Sequence, residues 1–387
     1  MVKLLGTLIS FLIPLESASG EKRVAASPET VKKLISQKCE VFLEKGAGLS
    51  SGFSDDDYRD VGVELVSSQG ADVWSKVDVV LCVQVPCKVN LERMKPKSLL
   101  VGLLAPYGNE SLANTLRVGS LSALALELLP RISRAQSADA LSSQANIAGY
   151  KAVLLGASAL DRYFPMLMTA AGTVQPAKVV ILGAGVAGLQ AVATAKRLGA
   201  VVFVSDIRLE VKEQVESLGA RFITPPDMNE INSGKAVYAK QASEAFLTAQ
   251  RQKLSDHLAE ADVAICTAQV PGKSAPKLIS ADMLDRMRSG SVVVDIAVDQ
   301  GGNCEGTQKG ETLIRKGVKL IGASDLPSSV PNHASSLYAR NLLALLEPFL
   351  IDGELSLNLE DELIAGALIS HQGEIRFPDL FIAAGAD

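Results

Sequence analysis

Lys178-Val-Val-Ile-Leu182 runs directly into Gly183-Ala-Gly-Val-Ala-Gly188, and no other feature restricts the fold of this chain as strongly. A short aliphatic, β-branched run ending in glycines predicts a buried strand, a tight turn and a helix, here over Val186–Leu198. Gly183 permits the turn, Gly185 admits a close approach to the backbone, and Gly188 lets the helix pack on the strand. The next run, Ala200-Val-Val-Phe-Val-Ser-Asp206, predicts a second strand closing on an acidic residue about 20 positions downstream. A carboxylate there accepts both hydroxyls of a ribose and repels a 2′-phosphate, so Asp206 points to NAD(H), with Arg208 two residues on as the one feature favouring NADP(H). The expected dinucleotide-binding set is Gly183, Gly185, Val186, Ala187, Gly188, Asp206, Ile207 and Arg208. To these are added Ala268 and Gln269 beyond a later strand, and Tyr238 near the end of a long polar stretch.

The same strand and helix rhythm fills the chain. Upstream, a helix is expected over Glu29–Ser36 behind Ser27-Pro28, strands at Cys39–Leu43, Val79–Val83 and Ser98–Leu104, and a helix over Ser111–Arg117. Asn146–Met168, long and mostly apolar, reads as a connecting helix. Strands at Lys178–Leu182, Val201–Ser205, Ala220–Ile223, Asp262–Thr267, Ser291–Asp295 and Lys319–Gly322 then make a six-stranded, doubly wound parallel sheet. Ser335–Ile351 reads as a long helix, with late strands at Glu354–Leu357 and Ala367–Ser370. The expected class is α/β with two Rossmann-like domains, residues 1–144 plus 330–387 and residues 145–329, the second binding the dinucleotide. Residues 225–240, polar and containing Pro and Gly, are longer than usual connections and form a candidate lid.

Bulk properties narrow the partners. A net charge of −5 without Lys/Arg-rich runs gives no footprint for nucleic acid. Cys39, Cys82, Cys87, Cys266 and Cys304 are scattered, and three distant histidines with no C-x-x-C spacing argue for reduced cysteines and no metal site. The beginning, Lys3 followed by an apolar run to Leu15 and Ser17-Ala-Ser-Gly20, has the layout of a secretory signal, against which a buried first strand is the preferred reading. No uncharged apolar run reaches the roughly 18 residues needed to span a bilayer.

Upstream of the glycine turn, Arg131-Ile-Ser-Arg-Ala-Gln-Ser-Ala-Asp-Ala-Leu-Ser-Ser-Gln144 gathers Arg131, Arg134, Gln136, Asp139, Ser142 and Ser143 into one short stretch that reads as a nicotinamide site. With Gly20–Pro28, Ala145–Tyr150, Gly183–Gly188, Val211–Ala220, Val270–Pro276 and Asp295–Cys304, it makes nearly the whole chain resemble the NAD(H)-binding domain I, or alpha subunit, of proton-translocating NAD(P)+ transhydrogenase. The resemblance implies a homodimer that binds NAD(H) in a cleft and docks on a beta subunit carrying NADP(H). It also implies direct hydride transfer between the two nicotinamides, coupled to proton translocation by membrane segments on other chains, and a cytoplasmic protein attached peripherally to a membrane through those partners. It places Arg131, Gln136, Asp139 and Ser142 around the nicotinamide and its carboxamide, and Asp206 on the adenosine ribose. Side-chain chemistry agrees: a carboxamide needs donors and acceptors, and Arg131 is suited to anchor Asp139 or a phosphate.

Three positions depart from the family pattern: Ala138 where a bulky Met or Leu is usual, Cys82 near a usual lysine, and Leu15 at a usually basic position. Alanine dehydrogenase shares the Asp295–Gly302 pattern and is the alternative enzyme. It requires a substrate lysine and a proton-relaying histidine from the first domain, and no histidine precedes His257. A non-enzymatic NAD(H)-sensing subunit is the third reading.

Overall fold

The computed structural model describes residues 2–3, 8–67, 71–224 and 244–382. Two compact units emerge, Met1–Gln144 with Pro327–Asp387, and Ala145–Leu326. Tyr238 and the stretch 225–240 lie outside the described residues.

The first unit is built on an eight-stranded sheet in the order Glu374–Ile375, Leu368–His371, Ser122–Ala125, Leu99–Leu103, Val79–Gln84, Ser10–Ile13, Glu40–Glu44, Glu64–Val66. The six strands from Ser122–Ala125 onward pair in parallel, and the two from the C-terminal part pair antiparallel. Successive side chains on a strand point to opposite faces, and both faces here are buried: Phe11 and Ile13 pack with Leu81, Val101 and Tyr338, while Leu12 packs with Trp74, Val80 and Leu100. Within the apolar run expected to form a buried strand, Ser10–Ile13 is a strand buried throughout, preceded by the short strand Val2–Lys3, which pairs with Glu354–Leu357 instead. Helix Pro28–Ser36 begins as its sequence demands, with Ser27 and Thr30 forming a reciprocal cap and proline in the first turn.

In the second unit a seven-stranded sheet runs Arg221–Phe222, Val201–Ser205, Lys178–Leu182, Val263–Cys266, Val292–Asp295, Val318–Gly322, Thr312–Arg315. Six strands are parallel and match the sequence expectation to within two residues at each end. Thr312–Arg315 is an antiparallel edge that the sequence did not signal, because Thr-Leu-Ile-Arg is short and mostly exposed. Val179 and Ile181 bury one face and Val180 and Leu182 the other, each side chain removed from water contributing about 1.5–3 kcal/mol. The chain lays Lys178–Leu182, Val201–Ser205 and Arg221–Phe222 outward in one direction and then returns to Val263–Cys266 on the other side of its first strand. Strand order therefore reverses between Lys178–Leu182 and Val263–Cys266, beyond whose carboxyl ends ligands bind in such sheets.

The connecting helix spans Ala140–Ala159, not residues 146–168. It starts early because Asp139 accepts the amide of Ser142 at 2.9 Å in N-cap geometry. It stops early because Lys319 takes the Ala159 carbonyl at 2.7 Å and Pro165 cannot extend a helix. Leu167–Thr169 instead pairs with Gly172–Val174 in an antiparallel hairpin. The late helix is displaced rather than shortened: it spans Pro331–Leu346 instead of Ser335–Ile351, because Pro331 opens it four residues early, and a short turn and strand Leu350–Ile351 follow.

Candidate functional site

The glycine turn sits at the switch point of the second unit. Gly183 has φ +99°, and a Cβ there would lie 2.8 Å from Thr267 Oγ1, so both conformation and space require glycine. A Cβ on Gly188 would lie 1.9 Å from the Gly183 carbonyl oxygen, which is how the helix reaches its strand. Gly185 is different: nothing lies within 4 Å of its missing Cβ, and as N-cap it offers no side chain to the amides of helix Val186–Arg197. With open space at Gly185 and no side chain capping them, the first amides of this helix and its dipole are groups of the kind that take a phosphate. Val186 is 41% exposed there, whereas Ala187 is buried in the core of this unit.

Asp206 closes the neighbouring strand with its side chain 6% exposed. Its carboxylate accepts the Ala184 amide at 2.7 Å, the Arg208 amide at 2.8 Å, and Arg208 Nε and Nη2 at 3.1 Å each. Burial pushes its pKa up, but the Arg208 guanidinium and the two amides outweigh it and hold the group below the usual carboxylate range. Arg208 thus belongs to Asp206, and Ile207 between them is 71% exposed. Beside the turn, Thr267 Oγ1 donates to the carbonyls of Leu182 and Gly183 at 3.1 Å each, and Gln269 Nε2 donates to the Ile296 carbonyl at 3.0 Å. Neither Thr267 nor Gly149 was anticipated from sequence. A Cβ on Gly149 would stand 2.0 Å from the Ala187 carbonyl oxygen, and no glycine motif marks it.

The Arg131–Gln144 segment belongs to the first unit. It forms a short 3-10 turn, Ser133–Ala138, leading into helix Ala140–Ala159. Arg131 and Gln136 are exposed, whereas Asp139 binds Ser142 through both its amide, at 2.9 Å, and its hydroxyl, at 2.6 Å. The suggested anchoring of Asp139 by Arg131 is therefore replaced by a helix cap within the segment. Arg134 reaches Asp361 at 3.0 Å, Ser143 donates to Asn341 at 2.7 Å, and Asn341 donates to the Ser137 carbonyl at 2.7 Å, which fixes the turn from below. Ala138 is fully buried among core side chains of this unit, so a larger residue there would contend with the core.

Elsewhere in that unit, Cys82, Glu16 and Glu21 lie in a network of buried hydrogen bonds. Cys82 is buried and its carbonyl accepts the Tyr338 hydroxyl at 2.8 Å; burial pushes its thiol well up. Glu16 accepts the amides of Val83 at 2.6 Å and Gln84 at 3.1 Å, while Glu21 takes Arg23 at 2.6 Å and Gln84 Nε2 at 2.6 Å. Burial, reinforced by Glu21, raises Glu16 to about 7 against the pull of the two amides and Arg23. Burial acts on Glu21 in the same direction, but the Arg23 guanidinium prevails and lowers it to about 2. Leu15, exposed, donates its amide to Glu44 at 2.9 Å. Among the described residues there is no group of His, Cys, Asp and Glu able to hold a metal, and no helix long and apolar enough to cross a membrane.

A glycine turn at a switch point, an open helix start and a carboxylate closing the adjacent strand define a dinucleotide-binding protein of the doubly wound α/β class. The alanine dehydrogenase/PNT N-terminal domain matches residues 12–148 and the C-terminal domain residues 152–378. The chain is 45% identical over 377 residues to the first segment of the NAD(P) transhydrogenase alpha subunit of Rhodospirillum rubrum, covering 95% of this chain and 98% of the relative. Among solved structures, the transhydrogenase from Sinorhizobium meliloti superposes with a TM-score of 0.86 at 42% identity, over 95% of this chain and 99% of that one. An L-alanine dehydrogenase superposes with a TM-score of 0.79 at 29% identity, over 96% and 100%. The chain belongs to the alanine dehydrogenase/PNT family of oxidoreductases, among the NAD(P) transhydrogenase alpha subunits.

Proposed function

We propose that this chain is the NAD(H)-binding subunit of a proton-translocating transhydrogenase, passing hydride directly between NAD(H) held here and NADP(H) held by a beta subunit. The observation that carries the reading is the Gly183–Gly188 turn with Asp206 beside it, at the switch point of a sheet, in a chain 45% identical to an NAD(P) transhydrogenase alpha subunit segment.

The amides at the start of helix Val186–Arg197 would hold the pyrophosphate and Asp206 the adenosine ribose, with Ile207 and Arg208 flanking it. Asp206 already accepts four donors, about the full capacity of a carboxylate, so Arg208 must yield part of its pairing to a ribose. Ala268 and Gln269 would form the opposite wall. Arg131, Gln136, Asp139 and Ser142 are assigned to the nicotinamide end, the first two as exposed groups available to ligand or partner and the second two as the cap that fixes the segment. When bound, the nicotinamide supplies hydride donor or acceptor chemistry at its own ring carbon. The chain's residues are left with orientation and exclusion of water, because hydride exchange between two nicotinamides leaves no proton to manage at the reacting carbons. That accounts for a chain with three histidines, none of them in the assigned site.

Homodimerisation is part of the proposal and is supported by the Leu167–Thr169 and Gly172–Val174 hairpin, with Met166, Met168 and Val174 exposed at 56%, 72% and 41%. A two-stranded ribbon with exposed methionines gains stability by packing on another surface. Membrane association would come through the partner chains. Mixing the purified chain with an NADP(H)-binding transhydrogenase domain tests the function: NADH-dependent reduction of an NADP+ analogue is expected, and its absence while NADH still binds would favour a sensing role.

A further inference from the structure

Asn303 is completely buried in the second unit and makes three hydrogen bonds with its carboxamide. Its Oδ1 accepts the Ala268 amide at 3.0 Å, and its Nδ2 donates to the carbonyls of Ala268 at 2.8 Å and Pro276 at 2.9 Å. One side chain thus holds both polar groups of a single residue's backbone, as a strand partner would. The partners also fix the amide's orientation, since a flipped carboxamide would set oxygen against two carbonyls and NH2 against an N–H.

Ala268 is the point where this grip matters. Its nitrogen lies 3.2 Å from where a Cβ on Gly183 would stand, and Thr267 beside it donates to the Gly183 carbonyl at 3.1 Å. The 267–269 segment is therefore the wall against which the glycine turn is formed. Asn303 is itself anchored from the sheet. The next residue, Cys304, donates its amide at 2.9 Å to Asp295, a fully buried carboxylate ending strand Val292–Asp295, which also accepts the Ala297 amide at 3.0 Å and Thr307 Oγ1 at 2.9 Å. Gly302 has φ +77°, and a Cβ on it would meet Asp295 Oδ2 at 2.7 Å, so the turn carrying Asn303 closes tightly on that carboxylate. The connection runs from Asp295 through Asn303 and Ala268 to the glycine turn.

We propose that Asn303 is a positioning residue for dinucleotide binding, setting the 267–269 wall against the Gly183 turn before ligand arrives. The inference rests on the second unit being the NAD(H) site. A loop already fixed loses less freedom on binding, so the clamp contributes affinity without touching the ligand.

Asn303→Asp keeps the acceptor for the Ala268 amide and the side-chain shape but loses both donations; Asn303→Ala loses all three bonds. Titrated with NADH well below their melting midpoints, where a merely structural defect leaves affinity unchanged, the folded variants are expected to bind about tenfold more weakly, with Asn303→Asp, whose buried carboxylate sets an oxygen against two carbonyls, at least as impaired as Asn303→Ala. Amide hydrogen exchange should quicken across 267–276 while strands Val263–Cys266 and Val292–Asp295 stay protected. Affinities within twofold of the parent would overturn the proposal. If neither variant folds, exchange in the ligand-free parent decides: an Ala268 amide that is slow before NADH is added supports a pre-set wall, and one exchanging as an open loop contradicts it. A parent that binds no NADH sinks the functional reading and this inference with it, whereas a parent that binds beside variants that bind equally well sinks this inference alone.

Discussion

The Asp206 carboxylate accepts the Ala184 amide at 2.7 Å, so the residue that closes the second strand also holds the glycine turn of the first. One group fixes the turn and offers the charge that would read the ribose. Its replacement therefore has two separable consequences.

Asp206→Ala should weaken NADH binding by about 1–3 kcal/mol, the usual cost of removing a charge-assisted acceptor, while NADPH binding changes less. Fluorescence titration of both reduced nucleotides measures the ratio. A parent that prefers NADPH, or a variant with unchanged preference, would contradict the assignment of Asp206.

Gly188→Ala should cost about 1–3 kcal/mol through overpacking, since its Cβ would stand 1.9 Å from the Gly183 oxygen. Gly149→Ala should behave alike, with its Cβ 2.0 Å from the Ala187 oxygen, although it lies outside the glycine fingerprint. Thermal melting checks both; a Gly149→Ala protein melting with the parent would show that helix Ala140–Ala159 shifts without cost.

The contrast between Gly188 and Gly149 shows where sequence carries the fold. Gly183–Gly188 follows a β-branched run and precedes a helix, so local spacing alone declares it, as the buried alternation of Val179–Leu182 declares its strand. Gly149 reads as an ordinary helix residue because the backbone it must clear lies 38 positions away, at Ala187. Ala138 and Asn303 are opaque for the same reason. The first faces the core and the second grips a distant peptide, and both relations exist only in three dimensions. Asp139 and Ser142 stand out in sequence as polar neighbours, but their local use as a helix cap competes with the chemical role suggested for them.

Gln136→Asn shortens an exposed side chain by one methylene and keeps its amide. NADH affinity should change little, while hydride exchange with an NADP(H)-binding domain falls about tenfold or more, as small misplacements do. Parent-rate exchange, or a defect confined to binding, would move the reaction away from the Arg131–Ser142 segment.

Glu16 gives the first unit a pH signature. Its folded pKa, about 7, exceeds the ordinary 4.5, so the folded protein holds a proton that the unfolded chain has released, and stability falls as pH rises across that window. The full loss approaches about 3 kcal/mol above pH 7. Glu21, at about 2, acts oppositely: its stabilisation is complete above 4.5 and is lost as pH falls toward 2. Glu16→Gln should flatten the decline between pH 5 and 7 in urea unfolding, and a slope equal to the parent's would show that Glu16 ionises freely.

Direct transfer between two nicotinamides is the central claim, and an isotope decides it. NADH carrying deuterium at the transferable nicotinamide position, mixed with this chain, an NADP(H)-binding domain and NADP+ in ordinary water, should yield NADPH bearing that deuterium with no solvent hydrogen at the same carbon. NADPH formed with solvent hydrogen there, or no NADPH from a mixture in which both nucleotides bind, would contradict it.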